Sequence, residues 1–392
     1  METKAEDLAP LPFAARPVER VHRPSPDRVW SGPEFTRPVV LTGCMEEWAL
    51  FQALQGCSSD PERLAVLDGL MKDERVCFQT LPRSARGQYH YRNDLTGPSY
   101  ETSTDLVPFD NFSGRLRESL SGRSEDYVYM KAHNVSEDSA FFRALGENVL
   151  YLLRPEQLDP GVWIGSHGQV VNLHYDDFHN FICMGAGGKR VTLFPPDVMA
   201  DIYHGPFDLT LGSACASQVR LIDADLERFP RFRRALGEAM VTVLEPGDVL
   251  YTPPYWWHHV ESFGFTVMVN NRVPLMPIEQ YEALAENVTR AIRLFVSAPA
   301  EVRQAQAALY ARQVFARPRP PAEPVGSDDP YAKHLDETRA LAEHFPPLIL
   351  DQLERYYTHF VFQLNGEPFP ATPGELEGMV ARNPLATSFF KR

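Results

Sequence analysis

Between Asp126 and Val273 the chain falls into short β-like runs cut by Gly and Pro, and this pattern constrains the fold more than any other feature. Tyr127 to Met130, Val162 to Ile164, Gln169 to His174, Asn180 to Met184 and Arg190 to Phe194 read as strands. Gly185-Ala186-Gly187-Gly188 and Pro195-Pro196-Asp197 punctuate them. Met240 to Leu244, Val249 to Thr252, His258 to Ser262 and Thr266 to Asn270 follow in the same manner. Many short strands at close spacing with turn signals argue for a sandwich or barrel.

The flanks differ. Residues 1–37 are rich in Pro and Arg, lack periodicity and read as an irregular arm. Pro38 to Gly43 reads as a short strand, and Met45 to Leu54 as a helix containing Trp48. Residues 60–125 mix helical and strand signals, so 1–125 is expected to be an arm with a flanking α/β segment and 126–275 the core. After Val273, Ile278, Tyr281, Leu284, Val288, Ile292 and Phe295 recur at three- and four-residue steps, the mark of an amphipathic helix. A Pro-rich linker (317–326) and a further apolar stripe at Ile349, Leu353, Tyr356 and Phe360 complete a helical region, 276–392. Its long stripes predict a homodimer, while the expected class is mainly β with an α appendage.

Composition narrows the function. Hydrophobic residues make up 44% and charged residues 23%, as in an ordinary globular protein. No window approaches the roughly eighteen consecutive apolar residues of a membrane helix. The N-terminus lacks the basic and apolar regions of a secretory signal. The five cysteines, Cys44, Cys57, Cys77, Cys183 and Cys215, include no C-x-x-C pair, and their number is odd. Reduced thiols and a cytoplasmic address are expected. A net charge of −14 opposes the phosphate attraction on which nucleic-acid binding depends.

The chemistry concentrates in VNLHYDDFHN, which holds His174-x-Asp176. In a strand, residues i and i+2 face one way, so both side chains can reach one metal ion. A second histidine from a facing strand, in GDVLYTPPYWWHHVES, would complete two imidazoles and a carboxylate, the donor set of non-haem Fe(II) oxygenases. The motif alone is weak. With 12 histidines, about one H-x-D is expected by chance, and His334-x-Asp336 is such a decoy in a helical stretch, where residues two apart do not face each other. On spacing alone, a satisfied histidine near a barrel mouth competes evenly with a ligand.

WIGSHGQVVNLHYDDFHNFICMGAGGKRVTLFPPD and GDVLYTPPYWWHHVESFGFTVMVNN, in that order, closely resemble the JmjC-type 2-oxoglutarate oxygenases. Within them the likeness is greatest to the asparaginyl hydroxylases of the hypoxia-inducible factor and to bacterial cupin-like relatives. It covers about residues 126–275, with an echo in RPVVLTGCMEEW at 37–48. The resemblance implies a double-stranded β-helix (jelly-roll) core, with Fe(II), 2-oxoglutarate and O2. It carries the metal ligands onto His174, Asp176 and His258, His259 pointing to the other face of its strand. It puts Lys189 on the distal carboxylate of 2-oxoglutarate. Asn180 and Asn270 fall on positions that touch the co-substrate or line the iron site, and Tyr129 on a tyrosine near the distal carboxylate. Where some relatives have Thr, Val171 stands here, which removes one hydrogen bond to the co-substrate. Trp256 and Trp257 read as packing, whereas Asp177 and His179 fit either a place beside the metal or solvent.

The activity so implied is hydroxylation of a polypeptide side chain with release of succinate and CO2. The same chemistry on a small molecule or tRNA base is the alternative within the class, as is demethylation. A metal-binding cupin of another class would usually show H-x-H with a following Glu, and would leave Lys189 without a role. An inactive interaction scaffold would not need the three ligands and the lysine together.

Overall fold

A computed structural model of the chain describes residues 8–92, 98–100, 106–146, 150–153, 160–205 and 215–274. The segment before the core supplies β1 (Arg16–Pro17), β2 (Glu19–His22), α1 (Pro26–Ser31), β3 (Val39–Thr42), α2 (Ala49–Gln55), α3 (Asp60–Leu70), β4 (Arg75–Val76), β5 (Phe78–Leu81), β6 (Val107–Pro108) and α4 (Phe109–Leu120). The core adds β7 (Tyr127–Asn134), α5 (Ala140–Ala144), β8 (Pro160–Gly165), β9 (Val170–Tyr175), β10 (Phe178–Phe194), β11 (Cys215–Ala216), α6 (Phe232–Leu236), β12 (Met240–Leu244), β13 (Val249–Thr252) and β14 (Trp257–Pro274). Local chemistry sets several helix starts. The Ser25 and Ser139 hydroxyls accept the N–H groups of Arg28 and Phe142 at the first turns of α1 and α5, donors that the helix itself leaves unpaired.

Two long antiparallel strands organise the fold. The first half of β10 pairs with β13 and its second half with β12. The first half of β14 pairs with β9 and its second half with β8. β10 and β14 pair with each other along both halves. Each therefore passes from one sheet into another. One sheet runs β2-β3-β13-β10-β14-β8-β7-β5, and the other β1-β12-β10-β14-β9-β11. This is the jelly-roll expected from the sequence.

Residues alternate between two apolar layers, as the strand period requires. Val40, Ile182, Met184, Leu250 and Met268 from one sheet pack with Val191, Leu193, Leu244 and Val260 from the other, filling the space between the sheets. Their neighbours Val39, Leu41, Phe181, Cys183, Val249, Tyr251, Val267 and Val269 face outward, into a second core with Leu50 and Leu54 of α2, Leu64 and Leu67 of α3, and Phe109, Phe112 and Leu116 of α4.

Three expectations are corrected. Asn180 to Met184 and Arg190 to Phe194 are one strand, and so are His258 to Ser262 and Thr266 to Asn270. The Gly185–Gly188 run bends β10 rather than ending it, with register shifts at Met184/Ala186 and Ala186/Gly188. Gly187 has φ +68°, and a Cβ there would lie 2.4 Å from the Phe265 carbonyl oxygen. The N-terminal arm is not irregular: β2 runs parallel to β3 and β1 parallel to β12. Arg190 anchors it further, gripping both Glu261 oxygens (2.7 and 2.8 Å) and the Ala9 carbonyl (2.6 Å). Finally, α2 begins at Ala49, since Met45 to Glu47 form a turn that Trp48 closes through its N–H to the Met45 carbonyl. The expected C-terminal helices and dimer lie outside the described residues, as do His334 and Asp336. No helix among the described residues is long and apolar enough to cross a membrane.

The bend predicts opposite outcomes for two glycines. Gly187→Ala is expected to lose on the order of 2 kcal/mol, combining a positive φ with a backbone clash. Gly69→Ala, on an exposed helical position with nothing within 4 Å of the new Cβ, is expected to gain about 0.5–1 kcal/mol. Urea unfolding of both variants measures this, and equal effects would contradict the assigned bend.

Candidate metal and anion site

The site forms between the two sheets. β9 ends at His174-Tyr175, the chain turns at Asp176-Asp177, and β10 returns alongside. The Tyr255 N–H donates to the Asp176 carbonyl oxygen (2.7 Å), tying this turn to the one that precedes β14. On β14, His258 pairs directly with His174. Their rings lie 4.1 Å apart, and His258 Nε2 is 3.5 Å from Asp176 Oδ2. One ligand atom from each of His174, Asp176 and His258 lies within 4.8 Å of the others.

Both imidazoles are oriented from behind. His174 Nδ1 is 2.7 Å from the Asn172 carbonyl oxygen and His258 Nδ1 3.1 Å from that of Trp256. Donation there leaves each Nε2 with its lone pair, as metal-ligating histidines require. Burial, joined by the neighbouring His258 and opposed by Asp176, pulls the His174 pKa down to about 4. The ring is neutral near pH 7, the form that binds a metal.

The carboxylate is held by a relay of donors. Trp163 Nε1–H donates to Asn270 Oδ1 (2.8 Å), Asn270 Nδ2–H to Asn180 Oδ1 (3.3 Å), and Asn180 Nδ2–H to Asp176 Oδ2 (3.0 Å). Each amide accepts on one side and donates on the other, so the indole N–H sets the direction of the whole chain.

Lys189 lies deeper and is 1% exposed. It stands opposite Ser262 on β14 and donates to its hydroxyl (2.8 Å) and to that of Tyr129 (3.4 Å). No carboxylate among the described residues pairs with it. Burial pulls its pKa from 10.5 to about 7. The face it shares carries Val191, Leu193, Val260 and His258, and Val171 closes the same apolar wall.

The other expected residues separate cleanly. His259 is buried on the opposite face of β14 from His258 and takes no part in the cluster. Burial lowers its pKa to about 3, and its Nδ1 finds no hydrogen-bond partner among the described residues. His179 also faces away, with Nδ1 2.9 Å from the Tyr251 hydroxyl and its ring against Trp30. Asp177 is half-buried. Trp256 packs on the inner core, and Trp257 on Tyr175 and His204. Ser262 and Trp163 escaped the sequence analysis. Ser262 was open to detection, lying four residues beyond His258 on the same strand face, whereas nothing local marks Trp163 as a donor rather than packing.

A family model described as a cupin-like domain matches residues 34–271, more than half of the chain. The chain belongs to this cupin-like family. Its relatives place it in the JmjC-type branch. Human HSPB1-associated protein 1 is 32% identical over 199 residues, covering 46% of this chain and 40% of that protein. The lysine-specific demethylase JMJ31 of Arabidopsis thaliana is 24% identical over 298 residues, 67% of this chain and 51% of its own length. JMJ30 of the same plant is 30% identical over 169 residues, 42% and 38% respectively. The chain thus spans about half or less of these curated relatives. Within the cupin-like match lie His174, Asp176, His258, Lys189, Asn180, Asn270 and Tyr129.

Two variants separate the geometry from its neighbours. His258→Ala is expected to abolish Co(II) binding, while His259→Ala leaves it largely intact; equal losses in an equilibrium titration would contradict the face assignment. Trp163→Phe keeps an aromatic side chain but deletes the N–H, and is expected to weaken Co(II) about tenfold, as loss of an outer hydrogen-bond partner does. An unchanged affinity and an unchanged Co(II) spectrum would show that the relay does not orient Asp176.

Proposed function

We propose that the chain is an Fe(II)- and 2-oxoglutarate-dependent oxygenase that hydroxylates a polypeptide side chain. One observation carries this reading: a buried ammonium with no carboxylate partner among the described residues, Lys189, lies on the same inner sheet face as a His–Asp–His cluster. A buried cation without a counter-ion is costly unless a ligand supplies one. A dianionic co-substrate that chelates a metal at one end and presents a carboxylate at the other would satisfy both features.

The residues fit that pair of ligands. His174 Nε2, Asp176 Oδ2 and His258 Nε2 would hold Fe(II), a donor set that suits this metal and leaves positions open. When bound, the iron supplies the O2 chemistry by which 2-oxoglutarate yields succinate and CO2 and the substrate gains a hydroxyl. The protein does the rest. Lys189 would grip the distal carboxylate in a charge-assisted hydrogen bond, with Ser262 and Tyr129 fixing its position. Val171, Val191, Leu193 and Val260 exclude water from the reacting centre. Asn180 holds the Asp176 carboxylate in one orientation.

The names of two relatives favour a second outcome of the same chemistry: oxidation of an N-methyl group on lysine, followed by its loss. Incubation with a peptide pool distinguishes the two by mass, as gain of one oxygen against loss of a methyl group. The wider proposal includes a cytoplasmic address and a homodimer built by the residues after 275. A monomeric mass for the intact chain would reject the dimer.

Lys189→Met tests the central feature. In the unfolded chain this lysine ionises near 10.5 and in the fold near 7. The unfolded state therefore binds more protons between those values, and this group makes stability rise with pH from about 7 to 10.5. The variant should flatten that rise and unfold no more easily than the parent at pH 7, since a buried charge gives way to an apolar group. Its affinity for 2-oxoglutarate should fall about a hundredfold or more, and Fe(II)-dependent succinate release with it. An unchanged affinity would overturn the role of Lys189, and absence of succinate from the parent chain would overturn the oxygenase reading.

A further inference from the structure

A second lysine, Lys131 on β7, has no part in the chemistry above. Lys131 lies two residues beyond Tyr129 on β7 and so shares its strand face. It precedes a kink at Ala132, where φ is +47° and the β7–β8 register slips. Its Nζ sits 5.0 Å from the centre of the Tyr89 ring. The Tyr89 carbonyl accepts from Asn172 Nδ2, and the Asn172 carbonyl from His174 Nδ1. Lys131 is thus tied to both ends of the site, to the anion end through Tyr129 and to the metal end through Tyr89 and Asn172.

Its ammonium is half-buried and has no carboxylate partner among the described residues. The nearby acid Glu74 is taken instead by His133 (3.1 Å). A tyrosine face attracts a cation but accepts none of its three N–H donors in a directional bond. Burial lowers the Lys131 pKa to about 8, so the surroundings disfavour the bare charge, and an incoming anion would restore it.

We propose that Lys131 and Tyr89 form a carboxylate-binding subsite that selects the substrate, which presents an acidic side chain beside the carbon to be oxidised. This rests on the oxygenase reading above. The chain's net charge of −14 repels runs of acid at long range, so the subsite takes a single carboxylate within an otherwise neutral or basic segment. The same group could also be the carboxylate of a small acylated amino acid.

The full chain, loaded with Mn(II) and the inert co-substrate analogue N-oxalylglycine, is exposed to arrayed peptides that differ only in Asp/Asn, Glu/Gln and Lys substitutions. N-acetyl-aspartate and N-acetyl-glutamate are added as competitors. Peptides with one acidic residue should be retained about ten- to a hundredfold better than their amide counterparts. Lys131→Met should erase that preference without lowering the melting temperature, and Lys131→Glu should turn it toward lysine. Competition by the acetylated amino acids without peptide retention would support the subsite and assign its carboxylate to a small molecule. Equal retention of acid and amide, without such competition, or a preference that survives Lys131→Met, would overturn the proposal. Succinate release by the Fe(II)-loaded chain is followed in parallel. Its absence beside intact acid selectivity would refute the oxygenase reading alone, and its presence without selectivity would refute the subsite alone.

Discussion

The antiparallel pairing of β10 with β14 runs through the bend that carries both strands from one sheet into the other, and the site depends on it. The register sets Ser262 opposite Lys189 and His258 opposite Leu193, while β9 on the other side sets His174 opposite His258. A slip of one residue would turn His258 out and His259 in, because the side-chain period of a strand is two. The register is held by what lies on both faces. Apolar residues fill the space between the sheets, and Arg190 clamps Glu261 on the outer face. The glycine run lets the strands cross from one sheet to the other through two register shifts, with pairing on both sides of them.

Within that frame the polar groups divide the labour by depth. Lys189 sits in the apolar interior with two hydroxyls and no acid among the described residues, an arrangement that folding alone does not favour. The His–Asp–His cluster is fully braced by carbonyls behind the imidazoles and by the Trp163–Asn270–Asn180 relay behind the carboxylate. A buried charge without a carboxylate partner beside a braced metal-ligand cluster points to a ligand that completes it.

Much of this was legible in the sequence, for physical reasons. His174-x-Asp176 could be placed because a strand puts both residues on one face, and the same alternation lets only one of His258 and His259 face inward, the resemblance choosing His258. Many short, punctuated strands pointed to a sandwich or barrel, and the resemblance to the JmjC-type oxygenases specified the jelly-roll. The long strands were not legible, since Gly185–Gly188 has the composition of a turn and only a distant partner, Phe265, shows that it bends within a ladder. β1 and β2 were hidden for the same reason: each is short and pairs in parallel with a strand elsewhere in the chain. Trp163 was not singled out, because an indole N–H reveals its acceptor only once Asn270 stands beside it. Nothing local in the sequence marks Lys131, because its place beside Tyr89 appears only in the fold.

The most direct test is anomalous diffraction from crystals of the full chain grown without oxygen in the presence of Fe(II) and 2-oxoglutarate. The account predicts one iron peak within bonding distance of His174, Asp176 and His258, with a 2-oxoglutarate molecule chelating it and its far carboxylate on Lys189. Iron bound elsewhere, or an ordered 2-oxoglutarate whose far carboxylate leaves Lys189 unpaired, would contradict it.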